Sequence, residues 1–172
     1  MKILSIYPYT HLSSASLMID GKIVAASPEE RFNREKLSTK FPIQSANWCL
    51  ESQGLSWEDI DIITVPWNPM RNINHASKRW VSQLVWRGEM LSHVPTQLMR
   101  AMQGPMENEM ELRFGNNKII YFDHHDCHAA NGFYLSGFEK ADILTIDGHG
   151  ENETCWFGVG NGAQLEKKHS IL

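Results

Sequence analysis

The chain has 172 residues, a formal net charge of −4, 42% hydrophobic and 21% charged residues. That is enough apolar material for one packed domain, or one domain and a piece of another; it argues against disorder, and the acidic balance gives no reason to expect nucleic-acid binding through bulk charge. No apolar run approaches the roughly 18 residues a membrane span needs, and the start, a short strand-like run meeting Pro8, does not have the form of a signal peptide. Cys49, Cys127 and Cys155 form an odd set without a C-x-x-C, which points away from a disulfide framework and toward a reducing cytoplasm.

Ile3 to Tyr7 reads as a first buried strand, and Pro8 to Ser14 as a polar loop. Ala15 to Ile19 and Lys22 to Ala26 flank Asp20-Gly21, a strong hairpin signal. Pro28 to Phe41 is a charged connection. Ile43 to Gln53 reads as a helix stopped by Gly54, Ser56 to Asp59 as a short capped turn, and Ile60 to Val65 as a strand ended by Pro66. From about 68 to 115 the chain changes character. Trp80, Trp86 and many of the methionines fall here, among mixed charges, and the pattern reads as a helical insertion or lid. Lys118 to Phe122 is a further strand, Cys127 to Ser136 a helix stopped by Gly137, and Ala141 to Asp147 a strand. After a glycine-rich loop, Cys155 to Gly160 and Gln164 to His169 form a second hairpin around Asn161-Gly162.

The chemistry concentrates in Asp123-His124-His125-Asp126-Cys127-His128 and in Asp147-Gly148-His149-Gly150-Glu151. His124 and His128 stand at i and i+4, so a helix through them presents both imidazoles on one face. Asp147 at a strand end completes a two-histidine, one-carboxylate set of the kind that holds iron, zinc or manganese. Gly148 and Gly150 let backbone approach a phosphate closely. His125 faces away from this pair, which leaves it hydrogen bonding or capping. Cys127 reads as a small apolar residue, Glu30 and Arg31 as an ion pair on a solvated turn, and Trp48, Trp57 and Trp67 as packing against the sheet.

Strand, loop, strand, Asx-Gly, strand occurs at both ends of the chain, an internal repeat at the level of supersecondary pattern. The first copy continues into further helices and strands; the second stops after its third strand. Three strands without a covering helix leave an apolar face open, so the expectation is that the chain is the front part of a longer protein. Residues 1–140 are expected to form a first subdomain carrying the 68–115 insertion, and 141–172 to open a second, truncated repeat.

Two three-strand antiparallel units with helices resemble the duplicated, α/β, ribonuclease-H-like fold of actin, sugar kinases and chaperone ATPases. The H-H-x-x-H-A-A run at His124, the D-G-x-G-E at Asp147 and the early segment from Ser13 through E-E-R-F at Glu29 resemble the O-carbamoyltransferases that carbamoylate nodulation factors, cephamycins and tobramycin. The resemblance covers both ends of the chain and fades across 68–115. It implies that a C-terminal domain makes carbamoyl-adenylate from carbamoyl phosphate and ATP. The N-terminal domain, of which this would be the first half, then transfers the carbamoyl group to a small-molecule acceptor hydroxyl. By the same resemblance His124, His128 and Asp147 match iron(II) ligands, a further aspartate ligand lies in the missing part, and Gly148 and Gly150 lie beside the intermediate's phosphate.

The resemblance also implies a role for His11 in contacting the acceptor or removing its proton, and for Lys36 in facing the anionic intermediate. One departure stands out. The family's first loop reads His-Asp-Ser-Ser-Ala or close to it; here Leu12 replaces the acidic residue. Two other functions compete: a relative of the protein that forms threonylcarbamoyladenosine on tRNA, against which the acidic balance argues, and a metal-binding fragment without turnover.

Overall fold

The computed structural model describes residues 1–8, 12–68, 119–148, 150–151 and 153–171. These fall into two units: residues 1–66 with 119–121, and 67–68 with 122–171.

The first unit is a mixed sheet with helices. Its strands are β1 (Lys2–Tyr7), β2 (Ser14–Ile19), β3 (Lys22–Pro28), β4 (Ile62–Val65) and β5 (Ile119–Tyr121), in the order β3-β2-β1-β4-β5. β1, β2 and β3 are antiparallel neighbours, whereas β4 runs parallel to both β1 and β5. Asp20 and Gly21 have φ of 48° and 79°, so the two-residue loop carries the paired positive φ of a type I′ turn, which Asp-Gly accommodates with least strain. Helix α2 (Ile43–Glu51) buries Ala46, Cys49 and Leu50, at i, i+3 and i+4, in the cluster formed by Leu4, Ile6, Ala15, Leu17, Ile63 and Val65. The Ala15 N–H donates to Ser45 Oγ at 3.1 Å, and the Ser45 hydroxyl donates to the Ser27 carbonyl.

Between β3 and α2 the charged connection contains a four-residue helix, α1 (Glu30–Asn33), ended by Arg34 at φ 62°. Glu29, just before it, is buried: its carboxylate accepts the Ser45 N–H at 2.8 Å and the Gln44 N–H at 3.3 Å, where α2 has no side-chain cap of its own. The expected Glu30–Arg31 ion pair is replaced by a local bond, with Glu30 accepting the Leu37 N–H at 2.9 Å. Trp48 is exposed and faces Phe32, ring centroids 6.0 Å apart, so it does not pack on the sheet as expected. Trp57 does pack against the core, from a 3₁₀ turn (Trp57–Asp59) closed by a Ser56–Asp59 capping box. β4 is shorter than expected because Ile60 and Asp61 belong to the exit from that turn.

The second unit holds helix α3 (His124–Tyr134) and an antiparallel sheet in the order β6-β7-β8, from β6 (Lys140–Ile146), β7 (Cys155–Asn161) and β8 (Gln164–Ile171). The β7–β8 loop is Gly162-Ala163, with positive φ at Gly162 alone, 57°. That is the type II′ pattern, so Asn161 closes the strand and the glycine takes the first loop position. On the face toward α3, β7 places Trp156, Gly158 and Gly160 in alternation. A Cβ at Gly160 would lie 2.5 Å from the Phe133 ring, and one at Gly158 2.5 Å from the Trp156 ring. Two missing side chains thus make room for two large ones, and Ala129, Phe133, Ile143 and Trp156 form the core. Among the described residues no helix is long and apolar enough to cross a membrane. The 68–115 insertion lies outside the described residues apart from its first position.

Candidate metal centre

α3 begins at His124, three residues before the expected start at Cys127, and ends at Tyr134. The earlier start puts both His124 and His128 within the helix. Its buried stripe is His125, Ala129 and Phe133, at i, i+4 and i+8, one residue along from the His124–His128 pair. Packing the stripe on β6 and β7 therefore turns the two imidazoles toward one side of the helix. His125 fixes the placement: its ring is buried, with Nδ1 2.7 Å from the Thr145 hydroxyl on β6. Thr145 lies two residues before Asp147, so this bond sets the strand end beside the His124–His128 pair.

The result is a triangle of ligand atoms. His124 Nε2 and Asp147 Oδ2 are 3.0 Å apart, His128 Nε2 and Asp147 Oδ2 3.2 Å, and the two Nε2 atoms 3.0 Å. Ligands at right angles about 2.1 Å from one cation lie about 3.0 Å from each other, so these spacings are those of three adjacent positions around a metal. Protons alone do not satisfy the triangle. If both imidazoles donate to Asp147, two N–H groups face each other across the third edge; if one gives up its proton to accept from the other, it loses its bond to the carboxylate. A cation satisfies all three atoms together, and these are residues that could hold one. Asp147 suits that task. The His124 hydrogen bond, then the Gly148 N–H at 2.6 Å, hold its carboxyl down at about 2. His124 also meets the Trp67 ring, centroids 5.3 Å apart.

The other expected site residues are placed differently. Gly148 is exposed, with open space where a side chain would be, but its N–H is taken by Asp147. Gly150 is buried and its N–H donates to the Glu153 carbonyl at 2.9 Å. A Cβ there would come within 2.6 Å of His125 Cδ2, so glycine seats this loop on the histidine ring. Lys36 is exposed in the turn after α1, and His11 lies outside the described residues. Cys127 is half-buried, and burial, reinforced by Asp126, Glu151 and Asp123, pushes its thiol up to about 12, which suits the inert role expected of it.

Glu151 is the residue whose part sequence reasoning missed. It is 5% exposed, and its carboxylate accepts the His124 N–H at 3.0 Å and the Asn68 N–H at 2.7 Å. The motif marked the position, but nothing in D-G-x-G-E says that its last residue reaches the start of a helix 27 residues upstream.

Comparison with known proteins identifies the family. Residues 2–171 match the carbamoyltransferase N-terminus family, and the chain belongs to that family. It is 31% identical to nodulation protein NolNO of Sinorhizobium fredii over 92% of its own length and 22% of the relative's. It is 33% identical to an uncharacterized Synechocystis protein, over 95% of the chain and 28% of that protein. The chain thus spans about a quarter of the length of these curated relatives. Among solved structures it is similar to YeaZ from Pseudomonas aeruginosa, with a TM-score of 0.50 at 12% identity, covering 98% of this chain and 64% of that one. At that identity the likeness concerns the α/β fold.

Proposed function

We propose that the chain is the N-terminal part of an O-carbamoyltransferase that moves a carbamoyl group from carbamoyl-adenylate to an acceptor hydroxyl on a small molecule. In this reading carbamoyl-adenylate is made from carbamoyl phosphate and ATP by a further part of the same protein. The observation that carries it is the His124–His128–Asp147 triangle in a member of a carbamoyltransferase family. The donor set, two imidazoles and a carboxylate, fits iron(II) or another divalent ion. Such an ion supplies Lewis-acid stabilisation of negative charge on a phosphate or carbamoyl oxygen.

The chain's own residues do the rest. His124 and His128 hold their positions through the packing of α3, and Asp147 is kept ionised by the His124 hydrogen bond and then by the Gly148 N–H. The open space at Gly148 lets a bulky anion come close to the strand end. His11 is proposed to contact the acceptor and Lys36 the anionic intermediate. The reading includes a duplicated ribonuclease-H-like architecture. It is supported by the antiparallel three-strand meander of each unit, each with a register irregularity between its second and third strands, opposite Leu17/Met18 and Phe157/Gly158.

The test is an anaerobic calorimetric titration of iron(II) into the chain and into His128→Ala, followed by titration of a non-hydrolysable carbamoyl-adenylate mimic into the loaded chain. One-to-one metal binding lost in the variant, with mimic binding that requires the metal, is the expected result. A chain that binds neither, or that binds tRNA in place of the mimic, overturns the reading.

A further inference from the structure

We propose that Glu151 is a positioning residue for this metal centre: a buried carboxylate that clamps the first turn of α3 and thereby sets where the His124 imidazole stands. The inference rests on the reading of His124, His128 and Asp147 as a metal site.

α3 starts without a side-chain cap from its own N-cap residue: Asp123 makes no side-chain capping bond. The unsatisfied N–H groups of a helix start need an acceptor, and an anion is the best one because the helix dipole favours negative charge there. Glu151 provides it from a distance. Oε2 accepts the His124 N–H at 3.0 Å and Oε1 approaches the same N–H at 3.2 Å, while Oε1 also takes the Asn68 N–H at 2.7 Å. A carboxylate 5% exposed is costly to bury unless hydrogen bonded in this way. Both oxygens accept backbone N–H groups, which places Glu151 to hold structure.

The geometry links this clamp to the ligands. Asp147 and Glu151 belong to one short loop. Its first residue meets the imidazoles of α3 and its last grips the backbone of the same helix at His124. Between them Gly150 rests against the His125 ring, where a Cβ would come within 2.6 Å. The loop therefore meets the first turn at three points, and the separation of His124 Nε2 from Asp147 Oδ2 is constrained from both ends of the loop. Releasing Glu151 frees the turn carrying His124, while His128, one turn further in, keeps its place.

The experiment titrates cobalt(II), a spectroscopic probe for such sites, into the wild-type chain and the Glu151→Ala, Glu151→Gln, His128→Ala and Ile143→Val variants. It reads affinity and the visible d–d bands, with the thermal midpoint of each metal-free chain alongside. Loss of residues that orient ligands costs roughly 10–100-fold in metal affinity, and a loss of that size with altered bands is expected for Glu151→Ala. Glu151→Gln, which keeps one acceptor oxygen, is expected to lose less. Ile143→Val lowers core stability in the same unit and is expected to leave affinity and bands unchanged. Wild-type affinity and bands in Glu151→Ala overturn the proposal; if that variant does not fold, the same result in Glu151→Gln does so. Equal losses in Ile143→Val and the Glu151 variants also overturn it, since the effect is then one of stability. A wild-type chain that binds no cobalt, or a His128→Ala variant that binds it as well as wild type, overturns the metal reading itself.

Discussion

Ring atoms of Phe133 occupy the space that a Cβ on Gly160 would take, with three of them within 2.6 Å of that position. This contact seats α3 on the sheet that carries Asp147. Gly160→Ala must displace a buried ring against a rigid strand, and overpacking of this kind costs about 1–3 kcal/mol. Gly132→Ala is the control: it lies in the same helix with nothing near its absent side chain, and is expected to be stabilising by about 0.5–1 kcal/mol, the cost of glycine in a helix interior. Urea unfolding of the two variants should move in opposite directions.

Removal of a metal ligand should separate binding from folding. His128 and Asp147 have 46% and 41% of their side-chain surface exposed, so neither contributes much to the core. His128→Ala and Asp147→Ala are expected to lose metal affinity by more than the 10–100-fold typical of an outer-sphere change, while stability in chelator stays within about 0.5 kcal/mol of wild type. Calorimetry and thermal unfolding with EDTA check both halves of the expectation.

Glu29 does for α2 what no residue of that helix does for itself. Leaving the Ser45 and Gln44 N–H groups without their buried acceptor should cost about 1–3 kcal/mol in Glu29→Ala, with less lost in Glu29→Gln. A urea midpoint equal to wild type in the alanine variant would show that water replaces the carboxylate.

Alkaline pH should weaken the first unit through Cys49. Burial pushes its thiol from an ordinary 9.0 up to about 11. Between those values the unfolded chain has given up a proton that the native chain retains, so it binds fewer protons and stability falls as pH rises through that window. Below it both states are protonated and the effect vanishes. Cys49→Ala removes the titrating group, and the decline in urea midpoint from pH 8 to pH 10.5 should be shallower in that variant than in wild type.

Much of this was legible locally. Asp20-Gly21 announced one hairpin through the positive φ its turn demands, and the i, i+4 histidines with Asp147 at a strand end named the three residues the fold brings together. What could not be read was action at a distance. The helix expected from Cys127 starts at His124, after Asp123, a favoured N-cap residue whose side chain makes no capping bond; the acceptor comes instead from Glu151, in a loop that is near only after folding. Glu29 likewise sits in a charged run that reads as solvated, yet is buried under α2. Trp48 went the other way: an aromatic residue on an amphipathic helix points to a core position, but it lies on the exposed side against Phe32.

Asp147 and Glu151 hold the same helical turn from one loop, so on the proposed metal reading ion binding and closure of that turn are coupled. The amide of His124 is then a reporter of occupancy. Its exchange with deuterium should slow when metal is added, by the factor by which metal suppresses opening of the loop, while amides of Phe133 and Tyr134 at the other end of the helix exchange at an unchanged rate.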